Sequence, residues 1–279
     1  MRFIDPHIHM YARTTDDYES MALAGIEQVV DPSFWLGSAR HYAGTFYDYF
    51  EHLLGYEAER AAQYGIRHHC CISVNPREAN DLALANEVLA NMEPYLDRPG
   101  CVALGEIGFD RITEPEEEIF RRQLRLAKER RMPILIHTPH QYKKVGVERI
   151  IKIVLEEGVE QRLVLVDHNT EETMPLFAGL DVWMGLTVYP VTKLSPERAV
   201  NILRQYGTDR LLVNSSADWG PSDVLSVPRV AQLMLQGGFS RQQVEQVVFL
   251  NPIRFYGQSE HFVVPDGVDP ARLTVGVTG

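Results

Sequence analysis

Eight short apolar runs rich in β-forming residues alternate with longer segments of helical periodicity along most of the chain. The runs lie at residues 2–6, 26–30, 66–74, 102–104, 134–136, 163–166, 182–185 and 211–213. Most of them are continuously apolar, which is typical of strands buried on both faces of a parallel sheet. Eight strands in strict alternation with helices over about 250 residues predict an α/β fold, namely a closed (β/α)8 TIM barrel built as a single domain.

Helical periodicity is found between these runs at 17–24, 41–64, 78–91, 115–130, 147–156, 171–178 and 196–206, and after them at 225–236 and 241–250. An open doubly wound sheet is the alternative, and it more often has a glycine-rich phosphate loop after its first strand. Here His-Ile-His-Met occupies that position, at residues 7–10. We expect the barrel to span residues 1–257, and residues 258–279 to form a C-terminal arm that packs on the barrel or trails from it.

Two imidazoles stand one residue apart at the end of the first run, on His7 and His9. Alternate residues of a strand share a face, so both rings can point toward one centre. Other metal-ligand side chains follow later runs, and barrel enzymes build their sites at these carboxyl ends of the strands. They are Glu106 after strand 4, His137 after strand 5, His168 after strand 6 and Asp218 beyond strand 8. Six such residues on one rim predict a metal site.

The types of these residues indicate which ions would bind. Neutral imidazoles and carboxylates suit zinc, manganese or nickel, with magnesium as a further candidate. Six ligands exceed the coordination of one tetrahedral ion, and they suit two divalent ions if a carboxylate bridges them. Glu106 is the natural bridge, because each of its oxygens can take an ion. A bound water would then yield hydroxide near neutral pH without a serine or cysteine nucleophile.

The order of these motifs resembles the TatD-type branch of the amidohydrolase superfamily. The resemblance covers about residues 1–257 and is most specific at Gly-Glu-Ile-Gly-Phe-Asp, residues 105–110; Asn-Pro-Ile-Arg-Phe-Tyr-Gly at 251–257 resembles the closing segment of that family. The resemblance implies a two-metal barrel that hydrolyses phosphodiester or related bonds. It assigns His7, His9 and Asp218 to one ion and His137 and His168 to the other, with Glu106 shared. Asp218 would also be the catalytic residue that orients the hydroxide and accepts its proton.

The loops after strands 5, 6 and 8 depart from the family pattern, at residues 138–140, 169–170 and 215–217. Substrate contacts are therefore sought among the cations and aromatic rings of the strand-to-helix loops. The candidates are Arg13, Trp35, His140, Lys143 and Trp219, with Arg40, Lys144 and Lys193 as further cations near the mouth. This set favours a small or medium organic substrate with an anionic group.

The charge pattern disfavours extended nucleic-acid binding. The formal net charge is -11, whereas nucleic-acid-binding surfaces are usually basic. One basic run, at residues 121–131, is the second half of a helix that opens with glutamates at 114 and 116–118. This polarity matches the helix macrodipole, and the basic end of a barrel helix lies away from the active rim. A small molecule is the expected partner, and a homo-oligomer is left open.

Three cysteines, Cys70, Cys71 and Cys101, form no CxxC pair and are expected to be reduced. No apolar stretch approaches the roughly 18 residues that span a bilayer, so membrane insertion is not expected. The N-terminus has no basic region followed by an apolar one, so a secretory signal is not expected either. These features predict a cytoplasmic protein.

The sequence therefore predicts a metal-dependent hydrolase. We expect a hydroxide bridging two divalent ions to cleave a phosphoester or a related ester or amide bond of a small to medium substrate. One alternative is a TatD-type 3′-5′ exonuclease on single-stranded DNA or RNA. The other is a non-catalytic scaffold that binds metal.

Overall fold

The computed structural model describes residues 1–273, and within them eight parallel strands form one sheet in chain order. The strands are β1 (Phe3–Asp5), β2 (Ile26–Pro32), β3 (Arg67–Ile72), β4 (Cys101–Gly108), β5 (Ile134–His137), β6 (Val164–Val166), β7 (Trp183–Thr187) and β8 (Leu211–Asn214). An open doubly wound sheet would reverse its strand order at a switch point, and this sheet does not. The prediction of a TIM barrel is confirmed.

The seam between β1 and β8 is bridged by the segments that follow these two strands. The backbone N–H of His9 donates to the carbonyl oxygen of Ala217 at 2.9 Å, and that of Ser216 donates to the carbonyl oxygen of His7 at 2.7 Å. The Asp5 carboxylate accepts from the Ser215 N–H at 3.2 Å. The barrel is therefore joined at its carboxyl rim, where the proposed ligands lie.

Within residues 1–273 eleven α-helices accompany the strands. They are α1 (Thr15–Ala24), α2 (Ala43–His52), α3 (Ala58–Ala62), α4 (Leu82–Ala90), α5 (Glu93–Leu96), α6 (Glu114–Arg130), α7 (Lys143–Glu157), α8 (Pro196–Tyr206), α9 (Ser226–Gln236), α10 (Arg241–Glu245) and α11 (Asn251–Tyr256). π-Helical turns at Leu53–Glu57 and Gln246–Leu250 join α2 to α3 and α10 to α11. In this part of the chain, no helix combines the length and apolar character needed to cross a bilayer.

The prediction of a helix over 171–178 is wrong. That segment contains only a 3-10 turn, Met174–Phe177. Pro175 has no N–H to donate, which the first turn of a helix tolerates but the interior of a helix that begins at residue 171 does not. Ala178 then leaves the helical conformation and Gly179 has a φ of 79°, so the segment turns back toward β7 after one turn.

Strand β4 is longer than the run from which it was predicted, because a β-bulge extends it through Glu106. Gly105 pairs with Leu135 and Ile107 pairs with Ile136, so Glu106 is the extra residue between them. A bulge redirects the side chain it carries. A Cβ on Gly105 would lie 2.6 Å from the Cβ of Leu135, so the close approach of β4 to β5 requires glycine there.

The barrel interior is apolar below its carboxyl rim. One cluster of buried apolar side chains contains a residue from every strand: Ile4, Val30, Cys71, Val102, Leu135, Leu165, Trp183 and Leu212. The segment after α10 packs into the same cluster through Phe249, Phe255 and Tyr256. The buried Tyr256 hydroxyl donates to the carbonyl oxygen of Pro6 at 2.8 Å. The C-terminal helices therefore fill the end of the barrel opposite the rim.

Residues 258–273 follow the amino-terminal end of the barrel. The Phe262 ring stacks on His69 with 4.7 Å between centroids. The His261 imidazole lies 3.0 Å from the carbonyl oxygen of Cys101, and the Arg2 guanidinium donates to the carbonyl oxygen of Asp266 at 2.9 Å. The rest of the predicted arm, residues 274–279, lies outside the described residues, and a boundary at residue 257 stays a prediction.

Candidate metal centre

Glu106 lies buried among the four imidazoles that the sequence singled out. Its Oε1 is 3.1 Å from His137 Nδ1, 3.2 Å from His168 Nε2 and 3.5 Å from His7 Nε2. Its Oε2 is 4.0 Å from His9 Nε2. The bulge in β4 thus brings one carboxylate against side chains that follow β1 and β6 and against the last residue of β5.

The imidazoles face each other in two pairs. His7 Nε2 lies 3.1 Å from His9 Nε2, and His168 Nε2 lies 3.1 Å from His137 Nδ1. Two imidazole lone pairs at this separation repel each other unless a proton or a metal ion lies between them. The ligand atoms of His7, Glu106 and His168 all lie within 4.8 Å of one another. One cation could therefore contact all three.

Asp167 fixes the orientation of His7 and His168 from behind. His7 Nδ1 donates to Asp167 Oδ2 at 2.6 Å. Thr187 donates its hydroxyl proton to Asp167 Oδ1 at 3.3 Å and can accept from His168 Nδ1 at 2.6 Å. The amide of Asn214 donates to both carboxylate oxygens at 3.0 Å. This arrangement directs the Nε2 atoms of both histidines toward Glu106.

The charges of these groups favour a cation at the centre. Burial alone would raise the pKa of Glu106, but the imidazoles around it, above all His7, hold that pKa well below its usual range. Burial alone would lower the pKa of His7, but Glu106 and Asp167 outweigh burial and raise it. Burial holds the pKa of His9 and His168 well below the usual value, so both are neutral, as metal ligands must be. The residues present are thus compatible with a divalent metal ion.

Asp218 lies on the wall of the same cavity, at a distance from the imidazoles. Its Oδ1 accepts from the Tyr189 hydroxyl at 2.7 Å and from the Gly220 N–H at 2.7 Å. Among residues 1–273 its Oδ2 has no hydrogen-bond partner, and its carboxylate forms no ion pair with a histidine. The structure thus groups five of the six predicted ligands around Glu106 and places Asp218 on the wall of the cavity that four of them line.

A second carboxylate lies behind His9. The Phe34 ring stacks on the His9 imidazole at a centroid distance of 3.9 Å and an interplanar angle of 13°. His9 Nδ1 and Asp31 Oδ1 are both buried without hydrogen-bond partners in the described chain, and they lie 3.9 Å apart. The other Asp31 oxygen accepts from the Met10 N–H at 3.0 Å. Asp31 is therefore placed to become the acceptor for His9 after a small movement.

Four of the predicted ligands, His9, Glu106, His137 and His168, line a cavity of about 520 Å³. Three of the predicted substrate residues, Trp35, His140 and Trp219, line this cavity. Its size lies in the range of small-molecule sites. Tyr189, Pro190 and Val191, in the loop after β7, line it as well.

Arg13 and Lys143, the other two predicted substrate residues, are bonded to the protein itself. The Arg13 guanidinium forms two hydrogen bonds with Asp17 at 3.0 Å and donates to the carbonyl oxygen of Asp218 at 2.6 Å. The ammonium of Lys143 donates to Thr138 Oγ1 at 2.8 Å. Within residues 1–273 neither side chain is among those that line the cavity.

Three residues of the site were missed or given no individual role in the sequence analysis. Asp167 directly precedes His168 in the sequence, but the ring to which its carboxylate is hydrogen-bonded is that of His7, so its place beside a predicted ligand does not reveal this role. Arg77 lines the cavity, and its guanidinium carbon lies 3.8 Å from the centroid of the Trp35 ring. Lys193 was named only as a loop cation, yet its ammonium reaches the cavity and donates to Ser216 Oγ at 2.9 Å. The number of residues between a strand and Arg77 or Lys193 does not show that these cations reach the cavity.

Comparisons with known proteins agree with this architecture. The model of the family described as TatD related DNase matches residues 4–257. An uncharacterized metal-dependent hydrolase of Methanocaldococcus jannaschii is 34% identical over 260 residues, which cover 91% of this chain and 99% of that protein.

Solved structures share the fold. A TatD-like protein of Archaeoglobus fulgidus superposes with a TM-score of 0.76 at 24% identity, covering 91% of this chain and 100% of that one. A phosphotriesterase homology protein of Escherichia coli, solved with phosphate in its active site, superposes with a TM-score of 0.68 at 17% identity, covering 91% and 98%. Because the family model spans most of the chain, we conclude that the protein is a TatD-like metal-dependent hydrolase and belongs to the TatD-related DNase family.

Proposed function

We propose that this enzyme uses two divalent ions to hydrolyse a phosphoester, or a related ester or amide bond, of a small to medium anionic substrate. The observation that carries this proposal is the position of Glu106, which lies within 4.0 Å of both imidazole pairs and lines a cavity of about 520 Å³. A carboxylate between two pairs of imidazoles is the arrangement expected of a bridging ligand.

In this proposal His7 and His9 hold one ion together with Asp218, and His137 and His168 hold the other. Glu106 is shared between them. When bound, the ions would supply Lewis acidity and a hydroxide nucleophile near neutral pH. The nitrogen-rich donor set favours zinc, manganese or nickel over magnesium.

Asp218 would accept the proton that the attacking water loses. Its Oδ1 is held by the Tyr189 hydroxyl and the Gly220 N–H, whereas its Oδ2 has no hydrogen-bond partner among residues 1–273, and the residue lines the cavity. A carboxylate fixed in this way is a competent general base. Two hydrogen bonds to one oxygen also keep the side chain from rotating during the reaction.

Lys193 would bind the anionic group of the substrate. Its ammonium lines the cavity beside Ser216. The negative charges of Glu106, Asp167 and Asp218 act to raise its pKa. Burial outweighs these carboxylates and lowers the pKa of Lys193. A cation at this point can neutralise the charge that develops on a non-bridging oxygen of the scissile group.

An exonuclease acting on single-stranded DNA or RNA is the second candidate, because the matching family model is described as TatD related DNase. A polyanion needs a row of unpaired cations along its path. The basic run of α6 does not provide one, since Arg121 pairs with Glu117 and Glu157, and Arg125 pairs with Glu157. This pairing favours the smaller substrate.

The test combines metal analysis with a substrate panel. The protein is stripped with a chelator, reloaded with zinc, manganese, nickel or magnesium, and assayed on an aryl phosphodiester, an aryl ester, a lactone and a 3′-labelled single-stranded oligonucleotide. We expect about two ions per chain and metal-dependent turnover of a small substrate. Asp218→Asn should abolish turnover while largely retaining the metal. Faster release of mononucleotides than of any small product would favour the exonuclease, and an active Asp218→Asn enzyme would contradict the role of Asp218.

A further inference from the structure

Arg77 presents an unpaired guanidinium to the cavity. Its carbon Cζ lies 3.8 Å from the centroid of the Trp35 ring. Within residues 1–273 its side chain forms no hydrogen bond or ion pair. The adjacent carboxylate, on Glu78, is already bound to Arg40 at 2.5 Å. A guanidinium that stacks through its face keeps its in-plane N–H donors free for another partner.

The backbone of Arg77 is tied to the metal centre through Asn75. Asn75 Oδ1 accepts from the Arg77 N–H at 3.1 Å, and Asn75 Nδ2 donates to Glu106 Oε2 at 3.4 Å. Pro76 lies between them at the start of a 3-10 turn, Pro76–Glu78. The start of the Arg77 side chain is therefore fixed relative to Glu106, and stacking on Trp35 restricts its far end.

A row of aromatic rings connects Arg77 to the imidazole of His9. Phe34 stacks on His9, Phe34 and Trp219 lie 5.0 Å apart between centroids, and Trp35 and Trp219 lie 5.5 Å apart. The three rings that form this wall, Phe34, Trp35 and Trp219, carry no charge. A ligand along it would meet apolar surface first and a cation at the far end.

We propose that Arg77 and Trp35 form a subsite for a second anionic group, a carboxylate or a phosphate, that the substrate carries apart from its scissile bond. The aromatic row holds the apolar part of the substrate between the two charged ends. This inference rests on the proposed function for the position of the scissile bond. The substrate would then be a small ester with an apolar central part and an anionic group at the end away from the scissile bond.

The test compares probes that differ only in the distal group. Three 4-nitrophenyl phosphodiesters carry 4-hydroxyphenylacetate, its neutral amide, or hydroquinone monophosphate as the second alcohol. For the metal-loaded enzyme we expect kcat/KM to be about tenfold higher with a distal anion than with the amide, mainly through a lower KM. In Arg77→Gln this ratio should fall to about one. Arg67, an exposed residue at the start of β3, is not among the cavity-lining residues, so Arg67→Gln is the matched control and should keep the ratio of the wild-type enzyme.

Binding gives a readout that does not depend on turnover. Isothermal titration of the metal-loaded protein with the corresponding phosphate monoesters should show the same preference for the distal anion, lost in Arg77→Gln. A stronger gain with distal phosphate than with carboxylate would assign the natural group to phosphate, and the reverse would assign it to carboxylate. Equal affinities for charged and neutral probes in the wild-type protein would overturn the subsite. Hydrolysis of all three probes at equal rates would also overturn the subsite, but it would leave the proposed function intact. If no probe is hydrolysed but the binding preference is present, the proposed reaction fails and the subsite stands.

Discussion

The buried imidazole of His7 is held by Asp167, a residue 160 positions later in the chain, through a contact of 2.6 Å between Nδ1 and Oδ2. The same carboxylate accepts from the His168 N–H at 2.7 Å and, through Thr187, is linked to the His168 ring. One side chain therefore orients a ligand from each of the two proposed ion sites. Burial alone would raise the pKa of Asp167, but His168 and His7 hold it below its usual range, so the carboxylate stays ionised.

Asp167→Asn should weaken metal binding by about 10–100-fold. An amide presents an NH2 group to at least one of the donors that the carboxylate now accepts, so His7 and His168 can no longer both be oriented toward Glu106. Competition with a chromogenic chelator measures the affinity. Asp81→Asn, at the N-cap of α4, should leave it unchanged. Wild-type affinity in a folded Asp167→Asn protein would show that Asp167 does not position the ligands.

Lys193→Met should lower kcat/KM by about 100-fold on an anionic substrate while sparing metal content. Methionine keeps much of the length of the side chain but cannot neutralise the developing negative charge. Steady-state kinetics and metal analysis of the same preparation separate these effects. Lys144, an exposed residue in the first turn of α7, provides the control substitution Lys144→Met. Equal losses in both variants, or a loss of metal in Lys193→Met, would contradict a role in binding the anion.

Lys143→Met should change how stability depends on pH. Burial, together with the charge of Lys193, lowers the pKa of Lys143 to about 7. An unfolded lysine titrates near pH 10.4, so the unfolded chain binds more protons between about pH 7 and 10.4, and the free energy of unfolding of the wild-type protein rises with pH there. The variant has no titrating group at this position, so its free energy of unfolding lacks this pH dependence. Relative to wild type, the free energy of unfolding of the variant should therefore fall by about 4 kcal/mol from pH 6 to pH 10, because the variant lacks the roughly 3-unit difference in pKa between the folded and the unfolded lysine. Urea denaturation at pH 6, 8 and 10 measures it, and a difference that is constant across this range would contradict the assignment.

The fold was predictable because each strand is a local apolar run and each ligand lies near the end of one. The order of the strands and the grouping of Glu106 and the four histidines on one rim follow from that pattern and from barrel geometry. The bulge that carries Glu106 was not predicted, because it depends on how closely β4 approaches β5. Helical periodicity over 171–178 took no account of Pro175, which would lie in the interior of that helix, or of the turn at Ala178 and Gly179 that ends the segment.

The substrate side of the site was harder to predict, because a cation in a loop can point to solvent, to a carboxylate or into the cavity. Arg13 and Asp17 are four residues apart, so their pairing is a local contact that spacing could have indicated. Arg77 and Trp35 come from loops after different strands, and only the tertiary structure brings them together. Asp167 was overlooked for the same reason, since its partner follows β1.

Gly108→Ala should damage both the barrel and the metal centre. Gly108 has a φ of 123°, and a Cβ there would collide with the carbonyl oxygen of His137. The collision would push β4 away from β5 and so separate Glu106 from His137, in addition to the cost of the backbone conformation. We expect a loss of at least about 2–3 kcal/mol in the free energy of unfolding, together with weaker metal binding. Gly100 has a φ of 93° but no atom within 4 Å of a Cβ, so Gly100→Ala should cost only the backbone strain, about 1–2 kcal/mol, and keep the metal. Equal effects of the two substitutions on metal affinity would show that contact between β4 and β5 does not set the geometry of the site.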